Sequence, residues 1–153
     1  MENDSQWTEQ VIREVNAAAA GLDRRDAREL QAERLVKLVR RVASYPDCPD
    51  CRALQPRIGR LAAELQRAPL MTKAEKRDYL AQLGGVMTHL QKQHGLVGEG
   101  QYLAIWMSLG TAAGMALGAA LSNTGAGMAL GLAVGLSLGA AMDARAKKDG
   151  RVI

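Results

Sequence analysis

The sequence predicts an all-α protein: an N-terminal domain of about four helices, then a C-terminal hairpin of two apolar helices. Three observations carry this. Apolar residues recur at helical spacing through residues 1–94. Phenylalanine is absent and tryptophan occurs twice, so the aromatic and β-branched runs that build strands are missing. Finally, no charged residue stands between Tyr102 and Met142, and glycine returns there at every fourth position.

The elements follow in order. A first helix is expected from about Asp4 to Ala20, with Trp7, Val11, Val15 and Ala18 on one face and Gly21 ending it. A second runs from about Asp23 to Tyr45, its apolar stripe made by Leu30, Leu35, Leu38, Val42 and Tyr45. The opposite face carries Arg24, Arg25, Arg28, Arg34, Arg40 and Arg41 interleaved with Glu29 and Glu33. Such a face reads first as solvated and salt-bridged, and second as a contact for anionic lipid headgroups. Residues 1–101 hold 16 basic and 14 acidic residues, net +2, a weak field that argues against nucleic acid as a partner. Residues 46–50 break the pattern. A third helix, from Cys51 or Arg52 to Arg67, aligns Leu54, Ile58, Leu61 and Leu65, and Pro69 stops it. Thr72 and Glu75 form a capping box that opens a fourth helix, which ends near His94–Gly95. Gly84–Gly85 in its middle weakens it and marks a candidate kink. The N-terminal domain thus spans 1–94, and residues 95–101, with Gly95, Gly98 and Gly100, form a flexible connector.

Residues 102–142 read as a transmembrane hairpin. Tyr102–Leu121 is 20 residues, about 30 Å of helix, which matches the hydrocarbon thickness. Ser122–Gly125 is a turn, and residues 126–142 form the second, shorter span. Tyr102 and Trp106 suit an aromatic interfacial belt. The basic tail, 143–153, carries Arg145, Lys147, Lys148 and Arg151, whereas the 122–125 turn is uncharged. By the positive-inside rule both termini then face the cytoplasm. The polar, acidic start of the chain lacks the features of a secretory leader, so the expected location is the cytoplasmic membrane of a bacterial cell.

The glycine register is Gly110, Gly114 and Gly118 in the first span and Gly127, Gly131, Gly135 and Gly139 in the second. Two positions on, about 200° around each helix, lie Ala112, Ala116 and Ala120, then Ala129, Ala133, Ser137 and Ala141. Each helix therefore has two small faces. One can dock its partner within the hairpin. The other suits a second copy of the chain, making a homo-oligomer that leucine at Gly131 or Gly135 would break. A hairpin packed only on itself, a hairpin buried in a soluble protein, and a pore are the alternatives, the pore being without a charged ring to select ions.

Cys48 and Cys51 have C-x₂-C spacing, and His89 and His94 have H-x₄-H spacing at the end of the fourth helix. They are the only cysteines and histidines in the chain. Two thiolates and two imidazoles match a closed tetrahedral zinc site. An antiparallel pairing of the third and fourth helices brings the start of one to the end of the other, where these residues stand. The gap from Cys51 to His89 is far longer than in a zinc finger. A C-P-x-C redox pair and unliganded surface residues therefore stay open beside zinc.

The stretch His89–Val97, then Glu99–Leu103, the glycine repeat, and Met142–Lys148 resembles small glycine-zipper membrane proteins of bacteria. The resemblance covers about residues 89–153 and implies a C-terminal membrane hairpin with a short basic tail. That family has no assigned activity. The sequence shows no paired-carboxylate site, no Ser-His-Asp set and no phosphate-binding loop, so no catalytic residue is expected and a non-enzyme is the reading. Three functions follow. The first is a membrane-anchored, self-associating interaction protein that meets a cytosolic protein partner. The others are an oligomeric channel and a membrane-tethered thiol oxidoreductase.

Overall fold

The computed structural model describes residues 2–153, with side chains from Ser5 onward. Seven α-helices and one 3₁₀ turn account for most of them, and no extended strand occurs among the described residues. The chain forms two compact units, residues 1–95 and 96–153.

In the first unit, α1 (Glu2–Ala20), α3 (Ala32–Ala43), α4 (Pro49–Leu65) and α5 (Lys73–His94) pack around an aliphatic core. Val15, Leu35, Leu38, Ile58, Leu61 and Leu90 are fully buried. This core follows from the helical stripes, since residues three and four apart share a face. The short α2 (Arg24–Glu29) is capped by Asp23, whose carboxylate accepts from the Arg25 and Asp26 amides. Those backbone bonds hold Asp23 below its ordinary carboxylate pKa.

The expected second helix, Asp23 to Tyr45, is in fact two. Gln31 takes left-handed geometry at φ 53° between α2 and α3, and Leu30 beside it is fully buried. The break turns Leu30 inward, at the cost of a strained non-glycine backbone. Lys76 of α5 fixes the detached turn through Asp26 at 2.8 Å and Glu29 at 3.1 Å. The Thr72–Glu75 capping box forms as the spacing predicts.

α5 runs unbroken through Gly84–Gly85. Gly84 is exposed, and a Cβ there would meet no atom within 4 Å. Gly84→Ala is therefore expected to stabilise the protein by about 0.5–1 kcal/mol, since alanine loses less backbone entropy in a helix. A rise of a few degrees in the melting temperature would register it; a fall would show that the glycine has another task.

In the second unit, α6 (Gln101–Ala120) and α7 (Thr124–Lys148) pack along their length as an antiparallel hairpin. Both are long and apolar enough to cross a membrane, and only 11% of each apolar window is buried. Leu109, Leu117, Leu130 and Val134 point outward and are more than half exposed. α7 exceeds the expected 126–142 span at both ends. Asn123 caps it through the Ala126 amide, and the first basic residues of the tail continue as helix. The connector is not open either. Val97 pairs with Val152 in a parallel bridge, and its amide donates to the Arg151 carbonyl.

Asp143 closes the base of the hairpin. Its carboxylate accepts from the Tyr102 amide at 3.2 Å and the Leu103 amide at 3.0 Å, capping α6 from the side of α7. Asp143→Ala leaves those donors without their partner and is expected to cost the hairpin about 1–2 kcal/mol. Thermal melting in detergent, read by Trp106 emission with Trp7 replaced by Phe, measures it. Asn at 143, which keeps an acceptor oxygen, should lose less; equal loss would point to charge rather than hydrogen bonding.

Candidate metal centre

Cys48 is the N-cap of α4, its sulfur accepting from the Cys51 amide at 3.4 Å, and Pro49 sits in the first turn. Proline suits that position, where its missing N–H is not needed. Cys51 follows one turn later and is buried. His89 and His94 lie in the last turns of α5, which Gly95 ends in left-handed geometry at φ 63°. α4 and α5 are joined by the 3₁₀ turn Ala68–Leu70, so they run antiparallel and these ends meet.

One ligand atom from each of Cys48, Cys51, His89 and His94 lies within 4.8 Å of the others. The His89 Nε2 is 3.6 Å from the Cys48 sulfur and 3.3 Å from the Cys51 sulfur, and the His94 Nε2 is 3.2 Å from the Cys51 sulfur. With Zn–S near 2.3 Å and Zn–N near 2.0–2.1 Å, the edges of a tetrahedron around zinc are about 3.3–3.8 Å. The four donors thus stand close to the spacing a tetrahedral ion requires, and they can bind a metal ion. Among the described residues this is the one cluster of three or more Cys, His, Asp or Glu donors with that property.

Burial pushes the Cys51 thiol up to about 12, and the hydrogen bond its S–H donates to Cys48, with the charges of Cys48 and Asp50, adds to it. Burial, and then His89, pull His94 below its ordinary value. Without metal, the pocket therefore favours a neutral thiol and a neutral imidazole. A cation supplies the positive charge that would make Cys51 a thiolate.

Tyr45, expected only as the last residue of an apolar stripe, stacks on the His94 ring at 3.7 Å between centroids and 21° between planes. It fixes the orientation of that imidazole. The signal was its place three residues before Cys48, which brings the end of α3 to the same corner.

The glycines meet within the hairpin. A Cβ on Gly114 would strike the Gly127 carbonyl and lie 2.9 Å from the Gly131 Cα; one on Gly110 would strike the Gly131 carbonyl and lie 3.0 Å from the Gly135 Cα. Gly118 faces Gly127 and Thr124, and Gly139 faces Leu103. Leucine at Gly131 or Gly135 would therefore act first on the hairpin itself. The second small register, Ala112 through Ala141, is exposed along both helices. Compared with protein-family models, curated proteins and solved structures, the chain matches none.

Proposed function

We propose that this protein is a membrane-anchored, self-associating scaffold whose helical domain is stapled by zinc and presented to a cytosolic protein partner. The observation that carries the reading is the convergence of Cys48, Cys51, His89 and His94 at one corner of a domain with a small aliphatic core. Thiolate and imidazole together suit zinc, and four protein donors close the coordination sphere, which makes the ion structural rather than catalytic. It would join the start of α4 to the end of α5, the end that leads toward the hairpin. The exposed alanine and serine register supports association between hairpins, because small residues let helix backbones approach closely in lipid. The bacterial cytoplasmic membrane, with both termini cytoplasmic, fits the basic residues after the second span. Kinship with small glycine-zipper membrane proteins belongs to the same proposal.

Two other readings gain less support. A pore would be lined by hydroxyls alone: Ser108, Thr111 and Ser137 donate their protons to carbonyls of their own helices and offer only acceptor lone pairs, with no charged ring to select ions. A thiol oxidoreductase would attack through Cys48, half-buried at the N-cap of α4, but both histidines of the chain converge on the same pair of thiols, which suits a metal better than a dithiol alone.

The test is metal content and mass of the detergent-purified chain. About one zinc per chain, lost in both Cys48→Ser and His94→Ala, together with a particle of several chains, is the expected result. A metal-free monomer that reacts rapidly with alkylating reagents at Cys48 would overturn it.

A further inference from the structure

The polar end of α7 has a charge arrangement that the scaffold reading leaves unused. α7 continues as helix past Met142, its last apolar residue before the tail, through Lys148. At about 1.5 Å per residue, Arg145 stands about 4–5 Å and Lys148 about 9 Å beyond Met142 along the axis. The headgroup region on each side of a bilayer core is about 5–8 Å deep. With the apolar run filling the core, Arg145 and Lys147 lie at the depth of lipid phosphates and Lys148 at its outer edge, within reach of its long side chain.

The neighbouring acids are engaged elsewhere. Asp143 holds the Tyr102 and Leu103 amides, and Asp149 pairs with Arg151 at 3.1 Å. Arg145, Lys147 and Lys148 are all exposed. Ala146, among them in sequence, is fully buried. At about 100° per residue, burial of Ala146 places the three cations around the opposite half of the helix. That half faces outward, with the exposed Leu138 two turns below Arg145 and the exposed Ala141 two turns below Lys148. A ligand that fits both features carries an anionic head and an apolar tail.

We propose that Arg145, Lys147 and Lys148 form a headgroup site for anionic phospholipid at the base of the hairpin. This rests on the reading of α6 and α7 as membrane-spanning. Each cation near an anionic surface favours it by about fivefold, so the cluster selects anionic lipid from a zwitterionic background.

The test uses the full chain with Trp7→Phe, which leaves Trp106 as the sole tryptophan. Trp106 lies at the same end of the hairpin, its backbone packed on Gly135. The chain is reconstituted into vesicles mixing phosphatidylglycerol with phosphatidylcholine, with bromine on the acyl chains of one lipid or the other. Quenching of Trp106 by brominated phosphatidylglycerol is expected to exceed its share of the mixture, at about fivefold relative enrichment or more. The combined variant Arg145→Gln, Lys147→Gln and Lys148→Gln should fall to parity, and Arg145→Lys should keep the preference. Parity in the parent chain, or an unchanged preference in the triple variant, overturns the site. Loss of the preference on adding inorganic phosphate at constant ionic strength would make it a free-anion site and overturn the lipid assignment. No quenching by either brominated lipid would place Trp106 outside the bilayer, and both the site and the membrane reading would fall together.

Discussion

Gly131→Ala is expected to force α6 and α7 apart. The added Cβ would strike the Gly110 carbonyl and lie 2.8 Å from the Gly114 Cα, and both obstacles are backbone. A side chain can rotate out of the way; a helix backbone moves only with the whole helix. Overpacking a tight core usually costs about 1–3 kcal/mol, and here the neighbouring Gly110 and Gly114 contacts loosen as well, so the upper end is expected for alanine and more for leucine. Melting followed by Trp106 emission, in the Trp7→Phe background, reads the loss. Gly125→Ala is the matched control. It lies in the first turn of α7, where a Cβ would meet only the Asn123 side-chain oxygen at 4.0 Å, so it should be neutral or stabilising. Equal melting of Gly131→Ala and Gly125→Ala would show that the glycines do not set the helix separation.

Removing the proposed zinc is expected to have the second large effect. Zinc contributes about 10–16 kcal/mol to the folding of zinc-finger peptides, and a domain with a helical core of its own should lose part of that, several kcal/mol. Chelator should lower the melting temperature of the N-terminal unit, and Cys51→Ser should lower it without chelator. An unchanged melting temperature in chelator would remove the staple.

The pH dependence has a definite sign. His94 is pulled below 6.5 by burial and by His89, so its contribution to the metal-free fold is present above 6.5 and lost as pH falls through the lowered value. Cys51 is raised from 9.0 to about 12, so its contribution is present below 9.0 and lost as pH rises toward about 12. The metal-free domain is thus most stable between those limits. Zinc must displace the Cys51 proton, so its affinity should climb with pH, by up to about tenfold per pH unit for each proton released. Acidification then removes the metal and the His94 contribution together. A zinc affinity that does not change between about pH 6 and pH 8 would exclude thiolate ligation.

Most of the helices were legible because periodicity reports burial directly: Leu35, Leu38 and Val42 share a face in any α-helix, and all three are core. The Cys/His corner was legible from scarcity and from the antiparallel geometry of two adjacent helices. The break at Gln31 was not, because no glycine, proline or cap residue marks it; burial of Leu30 overrides local preference there. Lys76 with Asp26 and Glu29 joins positions far apart in sequence, and nothing in either segment alone identifies the partner. Nothing in the sequence marks Asp143 as a cap, since it stands at the start of a basic tail. Its task depends on α6 beginning opposite that residue, which only the packed glycines bring about.

The pairing at the hairpin base also bears on how the protein is made. Val97 precedes both apolar helices, while the residues that hydrogen-bond to it, Arg151 and Ile153, follow them. A ribosome releases Val97 long before its partners exist. Asp143, which caps the first apolar helix, likewise emerges only after nearly all of the second. Neither helix can be locked at its base during its own synthesis. The base of the hairpin is therefore fastened last, and a chain cut within the second helix, before Asp143, should leave the Tyr102 and Leu103 amides uncapped and the first helix frayed at its start.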